Sequence, residues 1–219
     1  MARLLDLSHT VTAGMLTYRG LPGPVIGDHL TREASRPLYA GGTTFQIGKI
    51  EMVANTGTYV DAPFHRWEDG ADLSQLPLAS LAGLDGVCVA APYARGLAVT
   101  EDLLEEKEIE GRAVLFFTGW SAFWGTPSYF HRSSHLTSQA ASLLVSRGAA
   151  IVGIDAHNID DTDDGTRPAH SILLGAGIPV VEHLCNLEAL PASGFRFFAV
   201  PVKVQGMGTF PVRAFAEIG

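Results

Sequence analysis

Cysteine is scarce in this 219-residue chain, and the two that occur, Cys88 and Cys185, lie far apart. They form neither a CxxC pair nor a disulfide framework, so they read as buried thiols and carry no assigned chemistry. Basic residues are also few: 15 Lys and Arg stand scattered against 23 Asp and Glu, for a formal net charge of -8. That balance argues against nucleic acid or anionic membrane as the main partner, because both need clustered cations. No apolar run approaches the ~20 residues of a membrane-spanning helix. The opening MARLLDLSHT lacks the long apolar region and small-residue cleavage site of a signal peptide, so the expected location is the cytoplasm. Internal repeats, low-complexity tracts and charged linkers are missing too. Hydrophobic residues make up 47% of the chain, enough for one domain over residues 1–219.

Gly and Pro are spread throughout as turn punctuation, which marks many short connections. Strand-like runs are Thr43–Met52, Gly86–Ala91, Ala113–Thr118, Ala149–Ile154, Ile178–Val181 and Phe195–Val204, each rich in β-branched, aromatic or small apolar residues. Helix is expected at Thr100–Lys107, where a Thr cap precedes acids, and at Thr137–Arg147, where apolar positions recur at helical spacing. The order predicts an α/β fold with a mixed sheet. Within it, AAIVGID reads as a buried strand ending in Asp155, DAHNIDDTDDGTR as a polar loop, Pro168 as the first residue of a helix, and IPVVE as a second strand. If the two strands are parallel neighbours, Asp155 and Glu182 emerge at one sheet edge, where open α/β sheets bind ligands, with His170 close by.

The segment EMVANTGTYVDAPFHRWEDG holds the densest polar information. Pro63 keeps Asp61 and His65 from sharing a regular helix and leaves them on a strand end or loop, while Gly57 permits a close backbone approach. A carboxylate four residues before a histidine can bind metal, or can orient the imidazole as a general base; an ordinary hydrogen-bonded pair is the bland alternative. The phrase NTGTYVDAPFH resembles the signature H-x-G-T-H-x-D-x-P-x-H of the cyclase family that includes kynurenine formamidases and isatin hydrolases. GIDAHNID, RPAHSILLGAGIPVVEHLCNL and GTFPVRAFA resemble further blocks of that family in the same order, and the likeness begins at LDLSHTV.

That resemblance implies a swivelling β/β/α-like fold, a homodimer or higher homo-oligomer, and a site holding one or two divalent ions. It implies Asp61 as a metal-binding carboxylate, His65 as the catalytic histidine, and His170 and Glu182 as ligands from the second half. Asn55 and Tyr59 stand where the signature opens with two histidines. An amide and a neutral phenol with a pKa near ~10 are poor ligands beside imidazole, so a binuclear site is not expected. Asp61, His170 and Glu182 remain for one Zn²⁺ or Mn²⁺ ion with an open position. The competing reading is metal-free, with Asp61, Glu182 and His65 in acid–base roles while Tyr59 and Asn55 donate to an oxyanion.

The expected activity is hydrolysis of an amide or lactam in a small, aromatic metabolite without an organic cofactor; the alternative is a non-hydrolytic cyclase or dehydratase. Trp120, Phe123, Trp124, Tyr129 and Phe130 form a core or interface, or else an aromatic wall for a planar substrate that Tyr18 could join. Asp160, Asp161, Asp163 and Asp164 read as a solvated or capping loop, with His157 beside it, and Asp155 as a support for the site through hydrogen bonds. His9, His29, His131, His135 and His183 receive no functional role.

Overall fold

A mixed sheet of nine strands runs through the computed structural model, which describes residues 2–219. In chain order the strands are β1 (Arg3–Asp6), β2 (Val25–Leu30), β3 (Ile47–Glu51), β4 (Tyr59–Asp61), β5 (Ala82–Ala90), β6 (Ala98–Val99), β7 (Ala113–Phe117), β8 (His135–Leu136), β9 (Ile151–Ile154), β10 (Val180–Glu182), β11 (Ser193–Phe198), β12 (Thr209–Pro211) and β13 (Phe215–Ile218). The helices are α1 (Arg32–Ser35), α2 (Ser138–Ser146) and α3 (Pro168–Gly175). The large sheet has the order β1-β13-β11-β5-β7-β9-β10-β4-β12. Its centre, β5 to β10, is parallel, and both flanks are antiparallel. This bears out the expected mixed α/β sheet.

The parallel centre exists because its strands are apolar on both faces. Along β7, Val114 and Phe116 join one buried cluster with Leu144 and Leu173 of the helices, while Leu115 joins the opposite cluster with Val60, Val181 and Phe197. That alternation is the period of two of a pleated strand, and each such side chain stabilises the fold by roughly 1.5–3 kcal/mol. Helix α2 starts where its sequence indicates, with the Thr137 hydroxyl accepting from the Ala140 N–H at 3.1 Å. Pro168 opens α3, as expected.

Several expected elements come out with different bounds. Thr43–Met52 contracts to β3, which pairs only with β2 in a separate two-stranded ribbon. Phe195–Val204 ends at Phe198, and the strand expected from Gly86 begins at Ala82. The helix expected at Thr100–Lys107 is a short 3₁₀ turn, Glu101–Leu104, because the Thr100 hydroxyl binds the Asp102 carboxylate and caps no backbone N–H. Among the described residues no helix is long and apolar enough to cross a membrane.

Candidate active site

Register brings the polar residues together. Strand β4 lies between β10 and β12, with Tyr59 opposite Glu182 and Asp61 opposite Thr209. Residues two apart on a strand, and residues directly paired across strands, share a face. Tyr59, Asp61, Glu182 and Thr209 therefore occupy one face, while Val60 and Val181 fill the apolar cluster behind it. The chain leaves β4 through Ala62 into a 3₁₀ turn, Pro63–His65, which puts His65 back over Asp61. Gly208 makes that packing possible: a Cβ there would meet the His65 backbone nitrogen at 2.4 Å.

Helix α3 supplies His170 from above. Asp160 is fully buried, and its carboxylate accepts from the backbone N–H groups of Ala169 (2.6 Å) and His170 (3.2 Å) and from His170 Nδ1 at 2.6 Å. It thus caps the helix and holds the imidazole, a carboxylate–histidine pairing that fixes the tautomer and ring direction. The expected solvated acidic loop is corrected here: Asp161 and Asp164 do cap local turns, but Asp160 points inward. His170 Nε2 then faces Asp61 Oδ2 at 3.6 Å and Glu182 Oε1 at 3.5 Å. Burial alone would lower the His170 pKa, but the hydrogen bond to Asp160 and the nearby carboxylates of Asp61 and Glu182 outweigh it and raise it to about 10.

Glu182 is buried, which pushes its pKa up to about 7. It accepts from the Tyr59 hydroxyl at 2.5 Å and from the Ile159 N–H at 2.6 Å. Burial, with Glu182 and Asp61 nearby, raises the Tyr59 pKa well above its usual value, so the phenol keeps its proton and donates it. Thr209 links the remaining pair. Its hydroxyl donates to Asp61 Oδ1 at 2.5 Å and sits 2.8 Å from His65 Nδ1. A hydroxyl has one proton, already committed to Asp61, so Nδ1 is the donor, and in the neutral imidazole Nε2 is then the acceptor.

Asp61 Oδ2 is buried without a hydrogen-bond partner. Asp61, His65 and His170 each offer a ligand atom, all within 4.8 Å of one another. Three carboxylates, Asp61, Asp160 and Glu182, thus surround one imidazole, an excess of buried negative charge that asks for a cation. The donor set fits a divalent ion of the zinc or manganese type. It differs from the expected set of Asp61, His170 and Glu182 in bringing His65 close, while both Glu182 oxygens already accept hydrogen bonds.

A cavity of about 390 Å³ opens onto this cluster, lined by Tyr18, Asn55, Tyr59, His65, His170 and Glu182, as well as by Arg19, Arg66, Asn158 and Arg167. Asn55 lies beside the Tyr59 hydroxyl. The two tryptophans expected to bind substrate lie elsewhere. Trp120 is buried, donates from Nε1 to the Tyr129 carbonyl at 3.0 Å and packs on Tyr93 and Phe123. Trp124 stacks on His9 at 3.7 Å and lines a separate cavity. Asp155 emerges at the expected edge but serves the neighbouring turn, accepting from the Thr118 and Gly119 N–H groups at 2.9 and 2.8 Å. Thr209, Arg19 and Arg167 were not singled out by sequence, and Asp160 was read only as part of an acidic loop; Thr209, Asp160 and Arg167 had a signal in their places within GTFPVRAFA, GIDAHNID and RPAHSILLGAGIPVVEHLCNL.

Comparison with known proteins gives the same direction. A family model described as "Putative cyclase" matches residues 5–161. A kynurenine formamidase from Erythrobacter litoralis is 29% identical over 204 residues, 92% of this chain and 88% of its own. Isatin hydrolase A from Ralstonia solanacearum shares the fold with a TM-score of 0.86 and 23% identity, over 100% of this chain and 92% of that one. A potential metal-dependent hydrolase with cyclase activity has a TM-score of 0.81 and 26% identity, over 100% of this chain and 99% of that one.

Proposed function

The chain belongs to the cyclase family, and on that premise we propose that it hydrolyses an amide or lactam bond in a small aromatic metabolite. The carrying observation is that His65, His170 and Glu182 line one cavity, with the fully buried Asp61 beside His65 and His170 and its Oδ2 unpartnered. Asp61 and His170 would hold one Zn²⁺ or Mn²⁺ ion, with Glu182 beside them and His65 close by but kept free as the base. When bound, such an ion supplies Lewis acidity toward a carbonyl oxygen and toward water.

The chain's own groups do the rest. His65 Nε2, unprotonated and facing the cavity, accepts a proton from the attacking water and returns it to the leaving nitrogen. Thr209 keeps that imidazole in the required tautomer. Asp160 fixes His170, and the Tyr59 hydroxyl, donating its proton to Glu182, holds that carboxylate in place, while Asn55 lines the cavity as an amide that can donate to the carbonyl oxygen. The kynurenine formamidase relative supports an aryl amide as the substrate class.

The test is turnover of N-formylkynurenine-like and isatin-like compounds by protein whose metal has been assayed after dialysis. About one divalent ion per chain and a loss of roughly 10²–10⁴-fold in turnover for His65→Asn are expected. Failure to cleave any aryl amide or lactam while carrying that ion would sink the reading. We propose also that residues 1–219 act as one domain in a homo-oligomer, supported by the exposed Val25, Ile26, Ile47 and Ile50 of the β2–β3 ribbon. Sedimentation giving only a 23.3 kDa species would refute the oligomer.

A further inference from the structure

Two arginines at the mouth of the cavity have no acidic partner. The arginine–carboxylate ion pairs among the described residues involve Arg112, Arg132 and Arg213. Arg66 lines the same cavity but is engaged, donating to the Ser171 hydroxyl at 3.1 Å and lying over the Trp67 ring at 4.4 Å. Arg19 is exposed and makes no side-chain hydrogen bond among the described residues. Arg167 is half-buried and gives one N–H to the Asp161 carbonyl at 3.1 Å. Its backbone is left-handed (φ 49°), an unusual state for a non-glycine residue, in the position just before α3 and three residues from His170.

Arg19 and Arg167 also line an adjoining cavity of about 380 Å³ together with Tyr18 and His157, and the one acidic residue on that lining, Asp163, is paired with Arg132 at 3.1 Å. His157 is buried, and its Nδ1 has no hydrogen-bond partner. Burial first, and then the charges of Arg167 and Arg19, lower its pKa to about 4, so it stays a neutral imidazole with a nitrogen to spare. Two cations, a phenol and an imidazole thus converge beside a floor that is rich in carboxylates. In a chain of net charge -8, a cationic rim over an acidic floor favours an anion held away from that floor.

We propose that Arg19 and Arg167, with Tyr18 and His157, form an anion subsite that reads a carboxylate carried by the substrate, separate from the bond that is cleaved. Glu182 is the only acidic residue lining the site cavity, and it is committed to Tyr59 and Ile159, so no group there is free to receive an ammonium. The substrate class is therefore an aryl amide bearing a carboxylate, with no requirement for a second, cationic group. This part of the inference rests on the amide-hydrolase reading, whereas the anion subsite does not.

Binding and turnover test the two separately. Benzoate and benzamide are compared by ligand-observed NMR on wild-type protein and on Arg19→Gln and Arg167→Gln, each checked for an unchanged fold by circular dichroism. Benzoate should bind the wild type more tightly than benzamide does, and lose about tenfold to a hundredfold in affinity in either variant, the span of a hydrogen bond to a charged group. The preference should survive removal of metal by a chelator. Equal binding of the two compounds, or benzoate binding that vanishes with metal and ignores Arg19, would overturn the subsite. In turnover, 2-formamidobenzoate should exceed formanilide in kcat/KM, and equal values would also overturn it. If neither amide is cleaved while benzoate binding still depends on Arg19, the hydrolase reading fails and the anion subsite stands.

Discussion

His170 and His183 are both buried, yet one is held charged and the other neutral. Burial favours the neutral imidazole in each. His170 overcomes it because Asp160, Asp61 and Glu182 surround the ring, which raises its pKa to about 10. His183 lies immediately after Glu182 but faces the other way, with Nδ1 at 2.9 Å from the Tyr129 hydroxyl and no carboxylate beside it. Its pKa falls well below 6.5, through burial and then the neighbouring His157 and His9. One residue along a strand end thus separates a corner that demands positive charge from one that refuses it. The demand comes from arranged carboxylates and not from dryness, which is why only the first corner is suited to holding a cation.

The contrast breaks most severely at Asp160. Asp160→Asn keeps the shape but removes the charge that holds His170, and it should lower metal affinity or turnover by about 10–100-fold with the fold intact. Elemental analysis after dialysis and initial rates give the answer; a variant matching the wild type would mean that packing alone positions the ring. Tyr59→Phe tests the other carboxylate. Leaving Glu182 Oε2 without its donor should cost about 1–3 kcal/mol. Calorimetry would register this as roughly 2–4 °C of Tm per kcal/mol in a protein of this size. Metal content should not change, and an unaltered Tm would show that the phenol is not what satisfies Glu182.

The smallest effect concerns pH. His9 and His157 titrate near about 4 in the folded chain and His183 well below 6.5, whereas all three take up protons near 6.5 when unfolded. The unfolded state therefore binds more protons across that window, and stability is lost as pH falls from 6.5 toward 4. His170 runs oppositely, its contribution present in full below 6.5 and lost as pH rises toward 10. Replacing His183 with Asn, a residue tolerated at its left-handed φ of 57°, should flatten the fall in Tm between pH 7 and pH 5. An identical slope in variant and wild type would remove His183 from the acid sensitivity.

What could be read without coordinates was the chemistry carried by residue type. Asp61, His65, His170 and Glu182 stood out through the likeness of their segments to the cyclase-family blocks, while Pro63, the strand-like IPVVE and the helix-opening Pro168 placed them at element ends. Their placement in one cavity depends on β4 entering between β10 and β12, and no local pattern announces that register. Thr209 is an unremarked hydroxyl until it faces Asp61 across a strand pair. Asp160 was hidden among four neighbouring acids that look alike in sequence, and only burial separates it from Asp161, Asp163 and Asp164. Arg19 and Arg167 are isolated cations, and isolation is legible as significance only once the absence of carboxylate partners is seen. Trp120 shows the converse: a loop rich in Gly and Pro suggested a substrate wall, but a satisfied indole N–H and two packed rings make it core.

The position of β4 also governs when the site can exist during synthesis. Both of its sheet neighbours are made long after it, β10 by residue 182 and β12 by residue 211. Asp61 and Thr209 are separated by 148 positions, so at ribosomal speeds of about 5–20 residues per second the strand waits roughly 7–30 s for its last partner. Throughout that interval both edges of Tyr59–Asp61 are open, and the nascent chain carries its reactive aspartate on an unpaired strand. A ribosome that stalls after residue 182 and before residue 209 would therefore leave a chain with its central parallel strands complete and its site unassembled.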